Sequence, residues 1–318
     1  MNSVASEPAL IGVDWGTSSL RAFLISADGD VIDGVSSSEG IMKVESQTFE
    51  AVLDRLISPW TVNADLPILA SGMITSRNGW VETPYAEMPL GAGDLARALV
   101  PHEAMINSQI HFVTGASTEH AGGPDVMRGE ETQIIGASSL GLNEGTFVMP
   151  GTHSKWVQVA DGQILDFSTY MTGEIFAALK GHTILGTFMK DDAFNEEAFV
   201  MGVKAGLKGR SNLLHSLFHV RTLPLMGKIP KVATADYMSG LLVATEIAAA
   251  TDDAEDLGAI TIVGRNDLSD RYEIALKTAG YESRHAPDDI VAKGHFLIAR
   301  AAGLVGWSIL RLLFLKTR

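Results

Sequence analysis

The block Ile11-Gly12-Val13-Asp14-Trp15-Gly16-Thr17-Ser18-Ser19-Leu20-Arg21 holds, in compact order, the residue types that metal-bound phosphates need. Asp14 ends an apolar strand, where a carboxylate can hold magnesium through water. Gly16 lets the backbone approach a ligand closely. The hydroxyls of Thr17 and Ser18, with the N–H groups of the turn, can cradle phosphate oxygens. An ordinary hairpin whose Asp and Ser make local turn bonds would use the same residues. The phosphate reading is favoured because the acid ends the strand instead of sitting inside the turn.

A second turn, Pro150-Gly151-Thr152-His153-Ser154-Lys155, offers glycine, two hydroxyls, an imidazole and an ammonium. By itself it reads as a polar loop; paired with the first turn, it could take the β- and γ-phosphates from the other side. Arg128-Gly129-Glu130-Glu131-Thr132-Gln133 opens a helix. Acids there complement the helix dipole. A carboxylate in that place can also serve as general base, accepting the proton of a hydroxyl that attacks a γ-phosphate. Gly264 ends an apolar strand ahead of a helix, a geometry that often receives a ligand edge and is equally the usual strand-to-helix turn. Gly91-Ala92-Gly93-Asp94 mimics a dinucleotide fingerprint but follows Pro84 and Pro89, not a strand, and is set aside. Gly227-Lys228 lacks the upstream glycine of a P-loop, and the nine histidines show no metal spacing.

These residues need strands and helices to hold them. Residues 10–25 read as strand, tight turn, strand, with a hairpin turn at Asp28-Gly29 and a third strand from Val31. Apolar spacing predicts a helix over 49–57, stopped by Pro59. Residues 66–70 read as a buried strand running into a Gly/Ser/Thr-rich loop over 71–79, and 111–114 as a short strand. A helix is expected over 129–140. Strands are expected over 146–149, 156–159 and 163–167, the last two joined by Asp161-Gly162. The two hairpin sets lie about 135 residues apart, which suggests two related β-meanders facing one another. The last third alternates strand (259–263), helix (268–279), strand (281–284) and helix (290–303), an α/β pattern. Residues 190–228 give no clear pattern.

A chain of 318 residues suggests two domains. With 46% hydrophobic and 19% charged residues it is globular. A formal net charge of −14 argues against a nucleic-acid binder. Absence of cysteine excludes disulfides, thiolate metal sites and cysteine nucleophiles, and fits a cytoplasmic location. The first ten residues lack the basic start and apolar core of a signal peptide. Arg300 and Arg311 interrupt the most apolar stretch, 296–314, so no membrane span is expected and a buried amphipathic helix is.

Asp-x-Gly-Thr-Ser on one hairpin, Gly-Thr on a second and Gly before an α/β tail together resemble the actin, hexokinase and Hsp70 superfamily. More narrowly, the chain is similar to the 2-dehydro-3-deoxygalactonokinase (2-oxo-3-deoxygalactonate kinase) family. That similarity is carried by Asp14-Trp15-Gly16, Ser71-Gly72-Met73, Gly79-Trp80, Pro84-Tyr85, Val126 to Gln133, Met149 to Val157, Asp166-Phe167, Met171 to Glu174 and Ser239 to Leu242. It runs roughly from Leu10 to Gly306.

The resemblance implies an α/β, two-lobed actin-like ATPase (ribonuclease H-like) fold with a mixed sheet in each lobe and an interdomain cleft. The lobes would span 8–140 and 141–318, the last helix packing back on the first. It implies ATP and Mg²⁺ as cofactors and phosphorylation of the terminal (6-) hydroxyl of 2-dehydro-3-deoxy-D-galactonate in galactonate and galactose catabolism. Asp14 would position the metal. Gly16, Thr17, Ser18, Gly151, Thr152, Lys155 and Gly264 would hold the nucleotide. Gly72, Trp80, Tyr85 and Arg128 would meet the sugar acid, Arg128 because a guanidinium fork matches a carboxylate. Glu130 or Glu131 would be the base, with a slight preference for Glu130. The partners are then a small sugar acid and ATP, with no nucleic acid or membrane; a homo-oligomer is left open. Alternatives are a kinase for another sugar or sugar acid such as the gluconate epimer, a nucleotide-switched assembly protein, and a nucleotide or polyphosphate hydrolase.

Overall fold

The computed structural model describes residues 7–45, 48–62, 65–104, 108–190, 193–209, 212–252, 257–264, 266–287 and 290–306. The chain divides into two compact units, one of residues 1–143, 159–166 and 288–318, the other of 144–158 and 167–287.

The first unit opens with the meander β1 (Pro8–Trp15), β2 (Leu20–Ser26) and β3 (Val31–Ser37), followed by α1 (Phe49–Thr61) and β4 (Ile68–Ser71). Then come β5 (Tyr85–Glu87), α2 (Ala92–Arg97), β6 (Val100–His102), β7 (Ile110–Phe112), β8 (Gly115–His120), β9 (Gly123–Met127) and α3 (Glu130–Ser138). A six-stranded sheet has the order β3-β2-β1-β4-β7-β6, and β5-β8-β9 form a small second sheet. β1 runs antiparallel to β2 and parallel to β4, which makes it an interior strand with both edges paired, and its residues 10–13 are buried. Ile11, Val13 and Trp15 join the Phe49, Val52, Leu53 and Ile57 stripe of α1 in the core. That helix continues through Pro59 to Thr61 instead of stopping. The Arg55 carbonyl, which loses the N–H of residue 59, accepts instead from the Ser58 hydroxyl at 3.3 Å.

The second unit holds β10 (Gly145–Met149), most of β11 (Ser154–Ala160), the second half of β12 (Gln163–Tyr170), α4 (Thr172–His182), α5 (Glu196–Lys208), α6 (Leu213–Leu225), α7 (Thr234–Ala250), β13 (Ile260–Ile262), α8 (Asn266–Ala279) and β14 (Ser283–His285). Its sheet order, β12-β11-β10-β13-β14, repeats the β3-β2-β1-β4-β7 run of the first unit. The parallel pairs β10/β13 and β13/β14 match β1/β4 and β4/β7. The sequence repeat is therefore a repeat of topology. Asp161 and Gly162 both take positive φ, 52° and 70°, the backbone a tight hairpin asks of its two central residues. The segment without a clear pattern folds as α5 and α6.

The chain returns to the first unit as α9 (Ile290–Ala301), which lies against α3 and β1. Helices α3 and α9 touch backbone to backbone. A Cβ on Gly136 would fall 1.8 Å from the Ile290 carbonyl, and one on Gly294 the same distance from the Thr132 carbonyl.

Candidate active site

Asp14 lies near the end of β1, in register with Arg21 on β2 and Ser71 on β4. Arg21 donates to its Oδ2 from Nη2 at 2.5 Å and Nε at 3.1 Å. Oδ1 takes no hydrogen bond from the described residues and faces Gly72, whose Cβ, were there one, would sit 3.4 Å away. Gly72 has φ 95°, and the same Cβ would press to 2.8 Å from the Trp15 carbonyl. Gly129 (φ 109°) meets Gly72 from the other side, since its own Cβ would lie 3.0 Å from the Gly72 Cα. The loop after β4 thus meets Asp14 through Gly72, and the start of α3 meets that loop through Gly129, both residues with no side chain. Beneath them, the buried Ser71 hydroxyl shares a 2.8 Å hydrogen bond with His295 Nε2 of α9. Burial, then the charge of Arg21, pushes His295 down to about 3, so its ring is neutral.

The two adjacent acids at the start of α3 differ in environment. Glu131 is fully buried, accepting the Gly129 N–H at 2.7 Å and sharing a 3.1 Å hydrogen bond with the Thr132 hydroxyl. Burial, then the charge of Glu130, pushes its carboxyl up to about 8. Glu130 is half-buried and accepts the Arg128 N–H at 2.9 Å. The Arg128 guanidinium donates from Nη1 to the Thr75 and Thr83 hydroxyls at 2.7 and 2.6 Å, and from Nη2 to the Thr83 carbonyl at 3.1 Å. It lies 4.3 Å over the exposed ring of Tyr85. Trp80 is placed elsewhere, in an aromatic cluster with Phe49, His102 and Phe112 against the core. In the first hairpin, Gly16 closes the turn by donating to the Ser19 carbonyl at 2.9 Å, leaving Thr17 and Ser18 exposed.

In the second unit, Ser154 and Lys155 belong to β11, so the turn proper is Pro150 to His153. Lys155 is buried in that strand. Gly151 is half-buried and Thr152 exposed; His153 Nε2 and Glu174 Oε2 lie 2.5 Å apart. Gly264 follows β13 and is exposed. Sequence reasoning missed a buried acid here, Glu246 of α7, which gathers Ser154, Trp156 and Tyr272. Its signal was available: from Tyr237 to Ala250 it is the one charged residue in an apolar run.

The family described as 2-keto-3-deoxy-galactonokinase matches residues 14–298. The chain belongs to this kinase family. It is 33% identical over 270 residues to the 2-dehydro-3-deoxygalactonokinase of Escherichia coli K12, covering 85% of this chain and 90% of that one. A crystal structure from Sinorhizobium meliloti, assigned the same kinase name, superposes with a TM-score of 0.83 at 33% identity, over 92% of this chain and 98% of the other. Gluconate kinase from Lactobacillus acidophilus, at 10% identity and a TM-score of 0.51 over 93% and 89% of the two chains, shares the fold alone. The fold is that of the actin-like ATPases and sugar kinases, α/β with a mixed sheet in each unit.

Kinases of this superfamily use ATP with a metal ion, and the residues of the first unit fit that pair. A carboxylate oxygen with no other hydrogen bond and neighbouring hydroxyls are the hard ligands that magnesium takes. Gly72 keeps the space beside Asp14 Oδ1 clear of a side chain, and Gly129 packs against Gly72.

Proposed function

We propose that the protein transfers the γ-phosphoryl group of ATP to the terminal hydroxyl of 2-dehydro-3-deoxy-D-galactonate. The observation that supports this reading best is the packing of Gly129, the residue before the half-buried Glu130, against Gly72, which itself lies beside Asp14 Oδ1. Bound ATP and Mg²⁺ would supply the transferable group and neutralise charge on its oxygens. Asp14 would hold the ion, Arg21 fixing the rotamer of its carboxylate. Gly16, Thr17 and Ser18 in the first unit, and Gly151, Thr152, Lys155 and Gly264 in the second, are the nucleotide-binding residues of this reading.

Glu130 takes the proton of the acceptor hydroxyl as that oxygen bonds to phosphorus and the bond to the bridging oxygen of ADP breaks. Its partial exposure leaves it reachable, whereas Glu131 is enclosed and holds the Gly129 amide in place. Arg128, clamped by Thr75 and Thr83 and stacked on Tyr85, presents a fixed cation to the sugar-acid carboxylate. Tyr85 borders that site and Gly72 adjoins it through Thr75, while Trp80 packs in the core. Because phosphoryl transfer has a loose transition state, positioning is the main contribution the protein makes. A kinase that draws on ATP would work in the cytoplasm.

The test is coupled ADP release from Mg-ATP, with 2-dehydro-3-deoxy-D-galactonate, its gluconate epimer, galactonate and no acceptor in parallel. Turnover confined to the galactonate-derived oxo acid is expected. Equal turnover with the epimer would overturn the assigned specificity, and equal ADP release in every well would mean a hydrolase.

A further inference from the structure

The second unit contains a buried polar node that no step above uses. Glu246 sits on α7 with 3% of its surface exposed. Its Oε1 accepts from the Ser154 hydroxyl at 2.7 Å and from the Trp156 indole N–H at 2.8 Å. Its Oε2 accepts from the Tyr272 hydroxyl at 2.7 Å, and the Thr172 hydroxyl bonds to the same carboxyl. A carboxylate has about four acceptor sites, and four donors occupy them. They come from β11, α8 and the first residue of α4. No cation joins the node among the described residues, so hydrogen bonds alone compensate the buried acid.

Two of these donors flank the turn at Gly151-Thr152. Ser154 opens the strand that leaves it. Thr172 opens α4, and the residues after it lie on the turn. The Glu174 N–H donates to the Thr152 carbonyl at 3.0 Å, and a Cβ on Gly173 would fall 2.3 Å from the Gly151 carbonyl. The exit of the turn and the helix that supports it therefore hang on one side chain. The Tyr272 hydroxyl also donates to Ser154 Oγ at 3.3 Å, so it belongs to the turn's anchorage, whereas the Trp156 indole N–H donates to the carboxyl.

We propose that Glu246 is a positioning residue for the nucleotide's phosphates, holding the Gly151-Thr152 turn through Ser154 and Thr172. The inference rests on the kinase reading for the identity of the ligand. Loosening the node shifts the turn's amides and hydroxyls relative to the phosphates and leaves the acceptor site, in the other unit, untouched.

The experiment measures the KM for ATP, the KM for the acceptor, the Tm, and ATP binding without acceptor by calorimetry, in wild type, Glu246→Gln, Ser154→Ala, Thr172→Ala and Trp156→Phe. Glu246→Gln should raise the KM and Kd for ATP about tenfold while the acceptor KM stays within about twofold; a tenfold loss is about 1.4 kcal/mol, the scale of one or two hydrogen bonds. Ser154→Ala and Thr172→Ala should reproduce the ATP-selective shift, and keep the test decisive where Glu246→Gln does not fold. Trp156→Phe, which removes the indole N–H bound to the same carboxyl, should lower the Tm and leave ATP binding unchanged. A purely structural node would instead lower the Tm in all four with no selective change in ATP affinity, and that result would overturn the proposal. Wild type that binds ATP but phosphorylates no acceptor would refute the kinase reading alone, since the binding arm still reports on Glu246.

Discussion

Replacing Glu130 and Glu131 one at a time by glutamine should separate the base from its support. Glu131 is fully buried, and its carboxyl, pushed up to about 8, carries a proton at neutral pH. An amide is then close to a neutral-for-neutral replacement. It keeps a carbonyl for the Gly129 N–H, now accepted at 2.7 Å, and its NH₂ can donate to the Thr132 hydroxyl. Glu131→Gln should therefore cost less than about tenfold in kcat. Glu130→Gln removes the accessible proton acceptor and should cost about 10²–10⁴-fold, the usual worth of a general base. The assay is coupled ADP release at pH 7 with both substrates saturating, on variants whose folding has been checked by thermal melting. Stability gives a second readout. A carboxyl held above its ordinary 4.5 binds more protons folded than unfolded, so its contribution falls as pH rises from about 4.5 to about 8. At about 1.4 kcal/mol per pH unit the swing is at most a few kcal/mol. Glu131→Gln should flatten this decline in Tm. Equal kcat losses in the two folded variants would refute the assignment, and a larger loss in Glu131→Gln would move the base to Glu131.

His295 works at the opposite end of the pH scale. Held down to about 3, it binds fewer protons folded than unfolded, so Tm should fall as pH drops from about 6.5 toward 3; His295→Gln should remove that part of the acid limb. Arg128→Lys loses the planar fork to Thr75 and Thr83 and should raise the acceptor KM about 10–100-fold with the ATP KM unchanged, as read by separate titrations. Gly72→Ala forces a side chain to φ 95° against the Trp15 carbonyl and should cost about 1–3 kcal/mol in denaturant unfolding, with loss of turnover. Gly136→Ala would set a Cβ 1.8 Å from the Ile290 carbonyl and should lower the Tm by more than 5 °C through separation of α3 and α9.

Local signals determined the repeated meander. Asp28-Gly29 and Asp161-Gly162 supply the backbone freedom that hairpin turns demand, and alternating apolar residues flank each. The tight turn at Gly16 to Ser19 and the acid pair opening α3 were legible for the same reason, since neighbours in sequence define them. Pro59 misled because the rule against proline in a helix is local, whereas the Ser58 hydroxyl compensates the freed carbonyl and the apolar stripe of α1 is held by the sheet. Helix α7 gave no period because most of its residues are buried all round, and β5, β8 and β9 are short and partly exposed. What separates Glu130 from Glu131 is which one the fold encloses, and a sequence in which they are adjacent and identical carries no trace of it. The meeting of Gly72 with Gly129, and of Glu246 with donors from β11, α4 and α8, joins residues far apart along the chain. Only packing brings them together, because the proximity that makes them one site is created by the same burial that folds the chain.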